Sequence, residues 1–165
     1  QSIFITDDIT LAENVELEVA EQLVSLPRKE IASKSWNDNG AIIIVENIDE
    51  AIKVSNRFAP EHLELMVVNA RSHLKKIKNA GAVFLGSNTP EAIGDYIAGP
   101  SHVLPTSKSA KYSSGLSVFD FLKRTSIVEC SQENLNQIGP AANEIAVNEG
   151  LDGHARSIDY RLTKK

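Results

Sequence analysis

Cysteine is almost missing from this chain. Cys130 is the single one among 165 residues. That excludes an internal disulfide and any cysteine-rich zinc motif. It fits a reducing compartment, and a cytoplasmic protein is expected. Basic charge is not in excess, because 17 Lys and Arg stand against 22 Asp and Glu, a net charge of −5. Neither nucleic acid nor an anionic membrane surface is indicated as a partner. No apolar run approaches the roughly 20 residues of a membrane-spanning helix, and no signal peptide is visible. The patterns Gly-x-Gly-x-x-Gly, Gly-x-x-x-x-Gly-Lys-Ser/Thr and Gly-x-Ser-x-Gly are all absent. The chain therefore carries no dinucleotide or P-loop fingerprint, and no motif for an α/β-hydrolase nucleophile. An initiator Met is lacking too: Gln1 leads at once into Ile3-Phe4-Ile5. A fragment or processed product of something longer is expected.

What is present is an ordinary globular composition, 42% hydrophobic and 24% charged, enough for one domain with a small appendage. Ser2 to Thr6 reads as a buried strand. Thr10 is a candidate cap for a helix whose apolar stripe is Leu11, Val15, Val19, Leu23 and Leu26, ended by Pro27. A short helix over 28–35 and a loop at Trp36 to Gly40 should follow. Ala41 to Val45 is an apolar run typical of a strand covered on both faces. Asn47 and Glu50 resemble a capping box for a helix burying Ile48, Ala51, Ile52, Ser55 and Phe58, stopped by Pro60. Leu65 to Val68 reads as a strand. Asn69 and Gly81 bracket another helix, and Ala82 to Leu85 is a further strand. This alternation predicts an α/β fold: a partial Rossmann-like, open, mainly parallel sheet with flanking helices.

Residues 87–117 hold Pro90, Pro100, Pro105, Gly94, Gly99 and Gly115 and read as one long loop, functional or disordered, with 107–114 disordered. Beyond it the pattern turns helical. Ser131 is a candidate cap, Pro140 a kink or a second start, and 151–162 a last helix. The expected division is 1–117, the incomplete catalytic domain, and 118–165, a small helical tail.

The chemistry-bearing residues gather in three stretches. Pro60-Glu61-His62 lies where a helix gives way to a strand, and open α/β sheets bind ligands at such edges. Glu61 and His62 could move protons as a pair. The competing reading is a histidine satisfied by a helix C-terminus beside a solvated glutamate. Asp95, in Gly94-Asp95-Tyr96, offers a carboxylate that zinc accepts, or is a plain turn residue. His102, Glu149 and His154 are further candidates for a ligand or substrate contact. His73 reads as surface. No two histidines stand four apart, so spacing alone makes no helical zinc motif.

Taken together, Phe58-Ala59-Pro60-Glu61-His62-Leu63, Gly81 to Gly86, Gly94-Asp95-Tyr96, Gly99 to Thr106 and Glu149 to Ala155 resemble histidinol dehydrogenase. The resemblance runs in order over essentially the whole chain. It implies oxidation of L-histidinol to L-histidine in two successive NAD-dependent steps, with zinc at each site of a homodimer. By motif, Glu61 and His62 match the acid–base pair, and Asp95 and His154 match zinc ligands. His102, Glu149 and His154 match substrate contacts, with the C-terminal tail reaching the neighbouring subunit. Family members are much longer. The remaining zinc ligands and the NAD-binding domain lie ahead of the stretch matched here, so this chain alone is expected to be inactive. The competing readings are a non-catalytic binding or scaffold module of the same descent, and an independent zinc hydrolase using His62, Asp95, His102 and His154.

Overall fold

A computed structural model describes residues 1–162. The chain forms two compact units, Gln1–Phe121 and the residues from Leu122 onward.

The first unit begins with strand β1 (Ile3–Thr6), then helices α1 (Ile9–Ser25) and α2 (Lys29–Asn39), then strand β2 (Ala41–Ile44). β1 and β2 pair in parallel, Ile3 against Ala41 through Thr6 against Ile44. Asp8, not Thr10, caps α1: its carboxylate accepts from the Leu11 amide at 3.0 Å. A carboxylate two residues earlier reaches the free amides of the first turn, whereas Thr10 is already inside the helix. Trp36 to Asn39 belong to α2 rather than to a loop, and Gly40 closes the helix by donating to the Trp36 carbonyl at 2.7 Å. The polar run looked like a loop because Asn and Asp are weak helix formers; the stop signal is the glycine.

Helix α3 (Ile48–Phe58) follows. Asn47 caps it through the Glu50 amide at 3.0 Å, and the Glu50 carboxylate reaches back to the Glu46 amide at 2.9 Å. Its apolar stripe is the expected one, with Ile52 and Ser55 buried and Ile48, Ala51 and Phe58 half-buried. The helix ends in Ala59, left-handed at φ 51° and 2% exposed, just before Pro60. Strand β3 (His62–Leu65) comes next. A 3-10 turn over Ala70–Lys76 leads to strand β4 (Ala82–Leu85), which pairs with β3 in parallel.

Three departures from the expected architecture matter. The four strands do not make one open sheet; they make two separate parallel pairs, β1–β2 and β3–β4. The order of strands and helices is the same in either arrangement, so local pattern does not distinguish them; which strand edges meet is a tertiary choice. Two two-stranded parallel pairs make this a mixed α/β chain and do not by themselves establish Rossmann-like character. Strand β3 also lies three residues earlier than the expected Leu65 to Val68: it takes in His62-Leu63-Glu64 and ends at Leu65, leaving Met66 to Val68 outside it. Polar residues alternating with Leu63 and Leu65 are the signature of a strand with one polar and one apolar face. Asn69 and Gly81 do not bracket a regular α-helix: Asn69 is left-handed at φ 55° and the turn stops at Lys76. Gly81 instead lets two backbone segments touch, because a Cβ there would lie 2.5 Å from the Glu61 carbonyl oxygen.

Helix α4 (Glu91–Tyr96) interrupts the expected long loop, and a 3-10 turn at Ser109–Lys111 with buried Ala110 lies within 107–114. In the second unit, Ser131 caps helix α5 (Gln132–Asn148) through the Asn134 amide at 3.2 Å. Pro140 sits inside α5 without ending it. Helix α6 (Asp152–Leu162) packs back on α5, joined by the Asn143 amide, which donates to the Ala155 carbonyl at 2.9 Å and the Asp159 carboxylate at 2.7 Å. Among the described residues no large side chain is fully buried, and Ile127 and Val128 are about nine-tenths exposed, at 91% and 90%. No helix among them is long and apolar enough to cross a membrane.

Candidate active site

Strand alternation places His62 and Glu64 on one face of β3. Phe84 stands opposite Glu64 in the register, and its ring meets that of His62 with centroids 5.9 Å apart. This shared face carries α4. Three contacts fix the helix there. The Glu64 carboxylate accepts from the Glu91 amide at 2.7 Å, occupying one of the free donors of the first turn. Gly94 lies against the Phe84 ring so closely that a Cβ would sit 2.3 Å from its Cε1. The third contact is His62 Nε2 to Asp95 Oδ1 at 3.2 Å.

Glu91 and Asp95 are four apart on α4, so both face the imidazole. Glu91 Oε1 is 3.6 Å from the same Nε2. The side chains of His62, Asp95 and Glu91 keep 23%, 28% and 42% of their surface exposed. The three side chains are thus partly sheltered from solvent. Glu91 is held above the ordinary carboxylate range, first by partial desolvation and then by the neighbouring Asp95 carboxylate, with His62 pulling the other way. Donor atoms of His62, Glu91 and Asp95 all lie within 4.8 Å of one another. One nitrogen and two carboxylate oxygens are a donor set that zinc accepts.

The other candidate residues are placed as follows. Glu61 is half-buried beside His62, with its carbonyl accepting from the Ala82 amide at 2.8 Å. His102 is exposed in a segment without helix or strand, where Ser101 Oγ accepts from the Val103 amide at 3.1 Å. Glu149 closes α5 and donates its amide to Ile145 at 3.0 Å, and His154 lies in the first turn of α6; both side chains are exposed. The structure thus brings His62 and Asp95 together. Glu149 and His154 sit on neighbouring helix ends of the second unit. Reading the sequence passed over Glu91. Its signal was there: Pro90 followed by acids four residues apart is a helix start presenting two carboxylates on one face. Gly94, counted as loop, hid it.

The family model for histidinol dehydrogenase matches residues 1–162. This chain belongs to the histidinol dehydrogenase family. It is 56% identical over 162 residues to the histidinol dehydrogenase of Bradyrhizobium diazoefficiens, covering 98% of this chain and 38% of that protein. It is 53% identical over 165 residues to that of Rhodopseudomonas palustris, covering all of this chain and 38% of the relative. The crystal structure of histidinol dehydrogenase from Elizabethkingia anophelis superposes with a TM-score of 0.85 at 36% identity, over 97% of this chain and 37% of that one. The chain therefore spans under two-fifths of the length of these histidinol dehydrogenases.

Proposed function

We propose that this chain is the C-terminal portion of an enzyme that oxidises L-histidinol to L-histidine with NAD, in histidine biosynthesis. The 56% identity over nearly the whole chain carries the reading. The approach of His62 to Asp95 supports it, because residues 33 apart converge where the motif resemblance expects one site.

In this reading Glu61 and His62 handle protons: one takes the alcohol proton as hydride leaves for NAD, the other activates water for the second oxidation. Zinc, with Asp95 and His154 among its ligands, would hold the substrate and polarise its reacting groups. Asp95 fits that use from this chain's side, since its carboxylate already belongs to a group of zinc-type donors. His102, Glu149 and His154 contact the substrate, and the tail carrying the last two serves the neighbouring subunit of a homodimer. The large exposed apolar residues, Ile127 and Val128 among them, agree with a chain whose faces are covered by further polypeptide. With only two of the expected zinc ligands and no NAD-binding motif on this chain, the isolated 165 residues in this reading bind zinc and NAD weakly and turn over little or nothing.

The test uses the full-length protein carrying this segment. NADH formation from L-histidinol should be strong in the wild type and nearly lost in His62→Asn. Asp95→Asn should lower zinc per subunit by metal analysis. Unchanged turnover in His62→Asn together with full zinc in Asp95→Asn would overturn the proposal.

A further inference from the structure

Glu91 lies among the possible metal donors but has no part in the proton transfers proposed for His62. Yet it supplies the second carboxylate on the His62 ring, at 3.6 Å from Nε2 against 3.2 Å for Asp95. Its place is set by backbone: the Glu91 amide is anchored on Glu64 of β3 at 2.7 Å. One turn further on, the tight contact of Gly94 with Phe84 sets how near α4 approaches the strand.

Ionised carboxylates only accept hydrogen bonds. An imidazole nitrogen flanked by two of them is stable as N–H, which leaves Nδ1 as the acceptor of the neutral ring. Asp95 alone would fix one direction and leave the ring free to turn about that single contact. Asp95 is also the carboxylate assigned to zinc, so a bound cation competes with His62 for its charge.

We infer that Glu91 is a positioning residue that, beside Asp95, holds His62 as the Nε2–H tautomer and in one ring orientation. The inference rests on the proposed function only in taking His62 as a proton-moving group. Removing the acceptor while keeping the side chain's bulk should misorient the ring without touching the substrate.

The experiment compares Glu91→Met with Glu91→Gln in the full-length protein carrying this segment. Met keeps the packing and removes the acceptor; Gln keeps an acceptor oxygen. Glu91→Met should lower kcat about ten- to a hundredfold, the usual scale for losing a residue that orients a functional group. The KM for histidinol should stay within about threefold, as expected when an interaction is lost mainly in the transition state. Glu91→Gln should recover most of that rate. Nitrogen-15 spectra of labelled histidine should show Nε2–H for His62 in the wild type and a growing Nδ1–H share in Glu91→Met. An Nδ1–H ring in the wild type overturns the inference, even if neither variant folds. So does a Glu91→Met enzyme with unchanged kcat. Wild-type protein that makes no NADH from histidinol would instead sink the proposed function, and the tautomer spectrum would still decide the role of Glu91.

Discussion

His62 Nε2 and Asp95 Oδ1 stand 3.2 Å apart, one at the start of a strand and the other on a short helix 33 residues later. That closeness depends on how α4 is seated on β3–β4. The parts that seat it are open to substitution.

Gly94 is the tightest of these. A Cβ there would lie 2.3 Å from Phe84 Cε1. Phe84 is buried at 7% exposure and has little room to yield. Gly94→Ala should destabilise the protein by about 1–3 kcal/mol, the usual cost of overpacking. Chemical denaturation reads that loss. Phe84→Leu in the same chain should return part of it, because the clash is with the ring.

Glu64 holds the other end of α4. Its carboxylate takes the Glu91 amide at 2.7 Å, the office of an N-cap performed from a neighbouring strand. Glu64→Ala should cost about 0.5–2 kcal/mol, the range for losing a cap. Turnover of the full-length enzyme should fall further than stability alone explains, since α4 carries Asp95. Glu64→Gln, which keeps an acceptor, should cost less than Glu64→Ala on both measures.

In the second unit, Asn143 bridges α5 to α6 through Ala155 and Asp159. Asn143→Leu strips both bonds, at a cost of about 1–3 kcal/mol for the two together. As α6 also carries His154, zinc content of the full-length enzyme should drop along with the denaturation midpoint. Full zinc retention in a destabilised Asn143→Leu protein would separate His154 from the metal.

Two carboxyl groups predict opposite pH responses. Asp49 is held below its ordinary value of 3.8 by the Lys76 ammonium, 2.5 Å from its Oδ1. A depressed acid stabilises the fold above its unfolded pKa and loses that contribution as pH falls through the folded one. The Tm gap between wild type and Asp49→Asn should therefore be present near neutrality and close in acid. Glu91 is raised by partial burial and by Asp95. Its ionised form is disfavoured in the fold, so its contribution worsens as pH climbs through the shifted value. Glu91→Gln should raise the Tm of metal-free protein slightly near neutrality, and the gain should vanish in acid. Scanning calorimetry across pH checks both signs.

What the residues decide locally was legible before any coordinates. Asn47 followed by Glu50 is a cap wherever it occurs, because the side chain reaches an amide three residues on. The stripe from Ile48 to Phe58 buries one face because helical geometry puts those positions on one side. Ser131 starts α5 for the same reason Asn47 starts α3. Glu61, His62 and Asp95 could be singled out through the motifs that resemble a known family, whereas residue type and spacing alone left their plainer readings open.

What the tertiary structure decided is everything that rests on distant segments meeting. Two parallel pairs formed where one open sheet was expected, because strand order says nothing of which edges dock. Helix α4 formed across a glycine because Gly94 packs closely on the Phe84 ring and Glu64, 27 residues before Glu91, supplied the cap. Glu91 gained its place on the His62 ring by the same route. Backbone propensity is written residue by residue; the distance between a strand and a helix is set by the side chains that come between them.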